Sequence, residues 1–327
     1  MTGRQRFLET MRYGRPDRVP YFEEGIRDEV LERWRKQGLP EGTDVSDLLP
    51  TDHRERIGVN LEPIPPLDDA PAYELTVAEL RARLDPTDER RLPDDWEAKV
   101  AVWRDRDHVL ELPLHRGYFL SMGVRGWARF PGAVYPLKDD PAKVRAILDT
   151  YAECYAALAD RILSQIDVDM VTFSEPIGGN DGPLLGPSHY ETFCLESYRG
   201  VMETCRRHGV PVLTLVTYAN ARDLVGSILK YGFDCLWACE VNVDAMDYRS
   251  LRQEFGRDLR LIGGIDLDAL LGGKESIRHE VMAKVPPLLE QGGYVPLADG
   301  RVRENVSFET YRYYRELLAE VCGRQQG

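Results

Sequence analysis

Cysteine is scarce in this chain. The six thiols, Cys154, Cys194, Cys205, Cys235, Cys239 and Cys322, are spread over 327 residues, far below the density of a disulfide-stapled scaffold. Reduced thiols and a cytoplasmic location are therefore the expectation. Long apolar runs are missing too. None approaches the roughly 20 residues needed to cross a bilayer, and no apolar stretch follows Met1-Thr2-Gly3-Arg4-Gln5-Arg6 in the manner of a signal peptide. Positive charge is in deficit, with 42 Lys and Arg against 55 Asp and Glu and a formal net charge of -13. Such a surface repels phosphate backbones and anionic lipid, so neither a nucleic acid nor a membrane is an expected partner. The six histidines show no two-His zinc spacing, and no internal repeat or low-complexity tract is found.

What is present fits a soluble globular chain, 43% hydrophobic and 30% charged. The first hundred residues are rich in Pro, Arg and acidic residues, with turn signals at Glu62-Pro63-Ile64-Pro65-Pro66 and Leu92-Pro93-Asp94-Asp95. Lys99-Val100-Ala101-Val102-Trp103 and His108-Val109-Leu110-Glu111-Leu112-Pro113 alternate on either side of a charged tetrapeptide, which predicts a β-hairpin. From about residue 140 the texture changes. Asp140-Pro141 opens a helical pattern through Val144, Ile147, Leu148, Tyr151, Tyr155, Leu158 and Ile162. It leads into the run Val168 to Phe173, which ends in Ser174-Glu175-Pro176. Further apolar runs at Val210 to Val216, Phe233 to Trp237, Leu259 to Gly264 and Tyr294 to Leu297 alternate with helical stretches. Short buried strands alternating with long helices imply parallel βαβ units. The chain thus reads as an α/β protein, and the number of strands suits a closed barrel better than a short open sheet. The expected organisation is a single domain over 1–327. Residues 1–115 form an irregular elaboration with the first strand and a hairpin, and 116–327 carry the main βα repeats.

Four segments, in order, carry a resemblance. They are Thr2-Gly3-Arg4-Gln5-Arg6-Phe7 with Pro16-Asp17-Arg18-Val19-Pro20, then Asn180-Asp181-Gly182-Pro183-Leu184-Leu185-Gly186-Pro187, Leu261-Ile262-Gly263-Gly264-Ile265-Asp266, and Val306 to Tyr314. Together they look like a member of the uroporphyrinogen decarboxylase superfamily. The resemblance implies the (β/α)₈ barrel and two activities. One is decarboxylation of a pyrrole acetate. The other is methyl transfer involving corrinoids, with zinc activating a thiol or supporting demethylation. In the methyltransferase branch a His-x-Cys pair and a later Cys hold the zinc. The matching positions here look like Val216, Tyr218 and Gly300, a set that offers no zinc site. True uroporphyrinogen decarboxylases carry an Arg-rich loop after the first strand; here that stretch is Phe22-Glu23-Glu24-Gly25-Ile26-Arg27. Two glutamates there repel an octa-anion, so uroporphyrinogen III is not the expected substrate.

In parallel barrels functional groups gather at the C-terminal ends of strands. Those positions give Glu175, Tyr218 and Asp266 as candidate catalytic residues, with Glu175 or Asp266 as acid or base and Tyr218 as hydrogen-bond donor. Glu24, Asn220, Glu240, Asp299 and Arg301 are candidate substrate contacts, Arg301 being the carboxylate anchor. Arg116 and Arg125, set among aromatic residues, are read either as a pocket for an aromatic or carboxylated compound or as surface residues on an aromatic core. Cys235 and Cys239 read as small buried hydrophobes, and the glycine-rich turns lack a phosphate-binding frame. The expected function is a metal-independent lyase, a decarboxylase of a small aromatic or heteroaromatic acid, with no cofactor and no metal. The alternatives are a corrinoid-linked methyltransferase, with a corrinoid protein as partner, and a barrel that binds without catalysis. The Tyr-rich C-terminal helix is read either as packing on the barrel or as a homodimer contact.

Overall fold

A computed structural model describes residues 1–67, 71–240 and 245–323. Seven strands are assigned among them: β1 (Arg54–Arg56), β2 (Val109–His115), β3 (Met170–Glu175), β4 (Leu213–Tyr218), β5 (Cys235–Cys239), β6 (Arg260–Ile265) and β7 (Tyr294–Ala298). Chain contacts divide the molecule into two units, residues 55–106 with 110–234, and residues 1–54 with 107–109 and 235–327.

In the unit of residues 55–106 and 110–234, β1 to β4 lie side by side in sequence order, with β2–β3 and β3–β4 parallel. The helices Pro141–Leu163 and Glu196–Arg207 cross over between successive strands. The first is stopped at its N-terminus by Asp140, whose side chain accepts from the Lys143 N–H, with Pro141 at the position where a missing N–H costs nothing. Its buried stripe of Val144, Ile147, Leu148, Tyr151, Tyr155, Leu158 and Ile162 is the one the helical spacing predicts. His208 closes the second helix and its Nε2 lies 2.8 Å from Asp160 Oδ1.

In the unit of residues 1–54, 107–109 and 235–327, β5, β6 and β7 are parallel neighbours. The helices Tyr248–Phe255, Gly273–Gln291 and Phe308–Gly323 follow them in turn. The last of these buries Tyr311 and Tyr314, with Tyr311 tilted 4.9 Å from the Trp34 ring. This helix therefore packs within its own unit.

Two expectations are corrected. The hairpin does not exist: residues 96–103 are a helix and only the second half, β2, is a strand. Trp96, Val100 and Trp103 are buried at helical spacing while Val102 is 69% exposed, so the apparent alternation of Val100 and Val102 was one edge of a helical stripe. The first strand expected before Glu23 is also absent. Tyr21 exchanges hydrogen bonds with Asp52, and the Phe22 carbonyl accepts from Arg315 at 2.7 Å. Those groups are thus unavailable to a strand ladder. An eighth strand is not assigned among the described residues, and the architecture shown is an α/β fold of parallel strands and crossover helices.

Candidate functional site

Strand alternation decides which residues share a face. On β3, Thr172 Oγ1 donates to Glu111 Oε1 at 2.8 Å. Phe173 instead stacks on the His115 ring, at 5.5 Å and 6°, and lies 5.7 Å from the Tyr198 ring of the crossover helix. Ser174 follows Thr172 by two residues and Glu175 follows Phe173 by two. Glu175 therefore points into the helix layer, while Ser174 points the other way.

The helix-side pocket around Glu175 is sealed, and the carboxyl is fully buried. Its Oε2 accepts from the Tyr198 hydroxyl at 2.5 Å and its Oε1 from the Tyr118 N–H at 2.9 Å. Burial pushes this carboxyl up to about 7, and the two hydrogen bonds hold it from rising further. The Tyr190 hydroxyl interacts electrostatically with Glu175 but falls short of hydrogen-bond geometry. The Cys194 thiol is pushed well up by burial and by the neighbouring Glu175 charge. A register shift between Pro113 and His115 turns the His115 ring onto Phe173. Its Nδ1 accepts from the Gly117 N–H at 2.8 Å, and burial together with Arg116 lowers the imidazole to about 3, so it stays neutral. Gly117 has φ +77, and a Cβ there would lie 2.5 Å from both Glu175 Oε1 and the Ser174 carbonyl. Only glycine lets the turn come close enough for Tyr118 to donate.

The opposite face is polar and partly open. The strand registers set Pro113 beside Thr172, Thr172 beside Thr214 and Ser174 beside Val216, with Tyr218 next on that face of β4. Ser174, Val216 and Tyr218 are half-buried. A cleft of about 370 Å³ lies at the ends of β1 and β2, lined by Arg56, Asn60, Glu62, Pro113 and Arg116 among others. Arg56 Nε lies 3.5 Å from Glu111 Oε1. Arg116 pairs with Glu62, and Arg125 Nη2 donates to both Glu62 oxygens at 2.9 and 2.7 Å. Three guanidinium groups thus meet two carboxylates around the cleft. Asn220 is occupied by its turn: its N–H donates to the Gly179 carbonyl at 3.0 Å and its side chain accepts from the Arg222 N–H at 3.1 Å.

In the other unit, Glu24, Glu240 and Asp299 gather around Cys239, whose thiol is pushed well up by burial and by those three charges. Glu24 Oε2 lies 3.5 Å from Arg54, whose guanidinium sits 4.7 Å above the Trp237 ring. Asp299 is buried and accepts from the Leu267 N–H at 3.0 Å. Asp266 caps the turn that follows β6. Its side chain accepts from the Asp268 N–H at 2.8 Å as a helix cap, and burial raises its carboxyl despite that bond. Arg301 is exposed. Glu23, beside Glu24, turns instead to Tyr311 and Arg315 of the C-terminal helix.

Sequence reasoning missed Arg56, Glu111 and Tyr198. The first sits in a strand, Arg54-Glu55-Arg56, with no apolar residue to announce it. The orientation of Glu175 did carry a signal, because it shares its parity with Val171 and Phe173. Among the described residues no group of three or more His, Cys, Asp or Glu side chains stands close enough to hold a metal ion. The positions matching the zinc ligands, Val216, Tyr218 and Gly300, lack a soft or imidazole donor, so the donor set does not fit zinc.

The parallel strands with crossover helices define an α/β fold. The profile of the uroporphyrinogen decarboxylase (URO-D) family matches residues 129–296, more than half of the chain, and the chain belongs to that family. Among solved structures, a methyltransferase from Methanosarcina mazei superposes with a TM-score of 0.62 at 14% identity, covering 98% of this chain and 99% of that one. At that identity the likeness concerns the fold. A protein assigned as a vitamin-B12-independent methionine synthase from Listeria monocytogenes aligns over 70% of each chain at 11% identity, with a TM-score of 0.36 that supports no argument. No curated protein matches the chain in sequence.

Proposed function

We propose that this chain is a lyase of the URO-D family that decarboxylates a small aromatic or heteroaromatic carboxylic acid, in the cytoplasm and on a (β/α)₈ barrel. The observation that carries the reading is the cleft at the ends of β1 and β2, where Arg56 and Arg116 stand beside apolar lining. Paired guanidinium groups suit a carboxylate, and the size of the cleft suits a single ring rather than a tetrapyrrole. Arg56 and Arg116 hold the acid. As the bond to the carboxyl carbon breaks, its electron pair stays on the ring carbon and CO₂ leaves. The Tyr218 hydroxyl, on the same face of the strands, donates the proton that forms the new C–H bond, and water restores the phenol. Glu175 and Asp266 position backbone rather than touch substrate: the first fastens the turn at Gly117, the second caps a helix. No step runs through a metal.

The test is release of labelled CO₂ from a panel of carboxyl-labelled benzoates and pyrrole and indole carboxylates. Turnover of at least one acid, lost in Tyr218→Phe, is the expected result; no release from any member would sink the lyase reading.

Methyl transfer with a corrinoid protein is the second reading, favoured by the full-length likeness to the Methanosarcina mazei methyltransferase. It predicts that the purified chain shifts the visible absorbance of added cobalamin, which the lyase reading does not.

A further inference from the structure

The carboxylate nearest the arginines of the cleft belongs to the protein itself. Glu62 is gripped by Arg116 and by Arg125, which reaches both of its oxygens. Guanidinium groups that hold one carboxylate can hold another. Glu62 lines the same cleft as Arg116, and its side chain remains 31% exposed. Side-chain rotation alone can therefore exchange it. A buried phenol feels the same charges. Tyr151 is fully buried in the helix Pro141–Leu163, and its hydroxyl has no hydrogen-bond partner among the described residues. Of the charged groups, Arg116 acts on it most strongly, followed by Glu62 and Arg125. Tyr155, one turn further on, donates to the Leu61 carbonyl at 2.9 Å and so fixes the loop that carries Glu62.

We propose that Glu62 is the specificity-determining residue of this cleft, an internal carboxylate that occupies Arg116 until an aryl monocarboxylate displaces it. The proposal rests on the acid-binding cleft described above. The competition sets a threshold for entry. A neutral aryl amide cannot replace the charge that Glu62 supplies to Arg116, whereas an aryl acid replaces it and adds a contact to Arg56. Glu62 thus sets a threshold that an acid must exceed through its extra contacts, and its removal lowers that threshold for acids alone.

The experiment is calorimetric titration of the full chain with benzoate and with benzamide. Glu62→Gln, which keeps the shape and removes the charge, binds benzoate about tenfold more tightly than the native protein, while benzamide is unaffected. Arg116→Gln, combined with it, abolishes the gain. If Glu62→Gln does not fold, Glu62→Asp, one methylene shorter, shows a smaller gain of the same sign. Unchanged or weaker benzoate binding in a folded variant, an equal gain for benzamide, or no benzoate binding by any form would overturn the proposal. Binding is read at equilibrium, so a chain that turns over no acid can still meet this test and sink only the lyase reading. A working lyase whose benzoate affinity ignores Glu62 sinks this inference alone.

Discussion

On one side of β3, Phe173 and Glu175 pack among His115, Tyr198, Tyr190 and Cys194, all closed off from solvent. On the other side, Thr172 bonds to Glu111 and Ser174 lies beside Val216, with Ser174, Val216 and Tyr218 half-buried, and a cleft opens at the ends of β1 and β2. The sealed side holds a carboxyl pushed up to about 7 by burial. The open side holds the groups a ligand can reach. A perturbed pKa is a frequent mark of an active site, but desolvation alone produces it wherever a carboxyl is enclosed. Under the proposed function the perturbation marks a structural clamp, and access marks the chemistry.

The comparison can be broken most severely at Gly117. A side chain there meets Glu175 Oε1 and the Ser174 backbone at 2.5 Å with φ at +77. Gly117→Ala should therefore lower stability by about 3–4 kcal/mol, read from urea unfolding; a loss below about 1 kcal/mol would show that the clamp is slack.

Next is the pH dependence of stability. The Glu175 carboxyl sits near 7 in the folded chain against its ordinary value of 4.5. The folded state therefore binds more protons than the unfolded state between those values. Its contribution is complete below about 4.5 and is lost as pH rises through 7, by roughly 3 kcal/mol in all. Glu175→Gln removes this loss, so the difference between variant and native stability should move in favour of the variant from pH 5 to pH 8. A difference that stays flat with pH would mean that the carboxyl ionises in the fold as it does in water.

The smallest expected effect is at Tyr198. Tyr198→Phe removes the donor at 2.5 Å from Glu175 Oε2 and should cost about 1 kcal/mol. It should also raise the Glu175 carboxyl further, because the lost bond favours the anion. Infrared titration of the carboxyl band checks the direction, and a downward shift would contradict the geometry.

Much of this fold was legible from residue order. The capped helix Pro141–Leu163 and the strands β3 to β7 stand where apolar runs and helical spacing put them, because buried parallel strands must be apolar on both sides. β1 was not legible: Arg54-Glu55-Arg56 is charged throughout, and its strand character comes from pairing with β2. The helix over Trp96–Trp103 mimicked a strand because its window is short enough for both periods to fit. For the site, strand ends were found but their faces were not. Glu175 lies at the end of β3 as expected, yet the parity it shares with Phe173 turns it inward to the helices. Asp266 likewise lies after β6, and its short side chain is taken by its own helix cap. The pairing of Glu62 with Arg116 and Arg125 joins residues more than fifty positions apart, which no local pattern encodes.

The division between a sealed clamp and an open chemical face is tested most directly by one side-by-side measurement. Turnover of Glu175→Gln and of Tyr218→Phe is compared with the native chain on an acid that the native chain decarboxylates. The account predicts that Glu175→Gln stays within about threefold of native kcat, while Tyr218→Phe falls by about two orders of magnitude. The opposite order, with Glu175→Gln inactive though folded and Tyr218→Phe active, would place the chemistry on the sealed face and contradict the account.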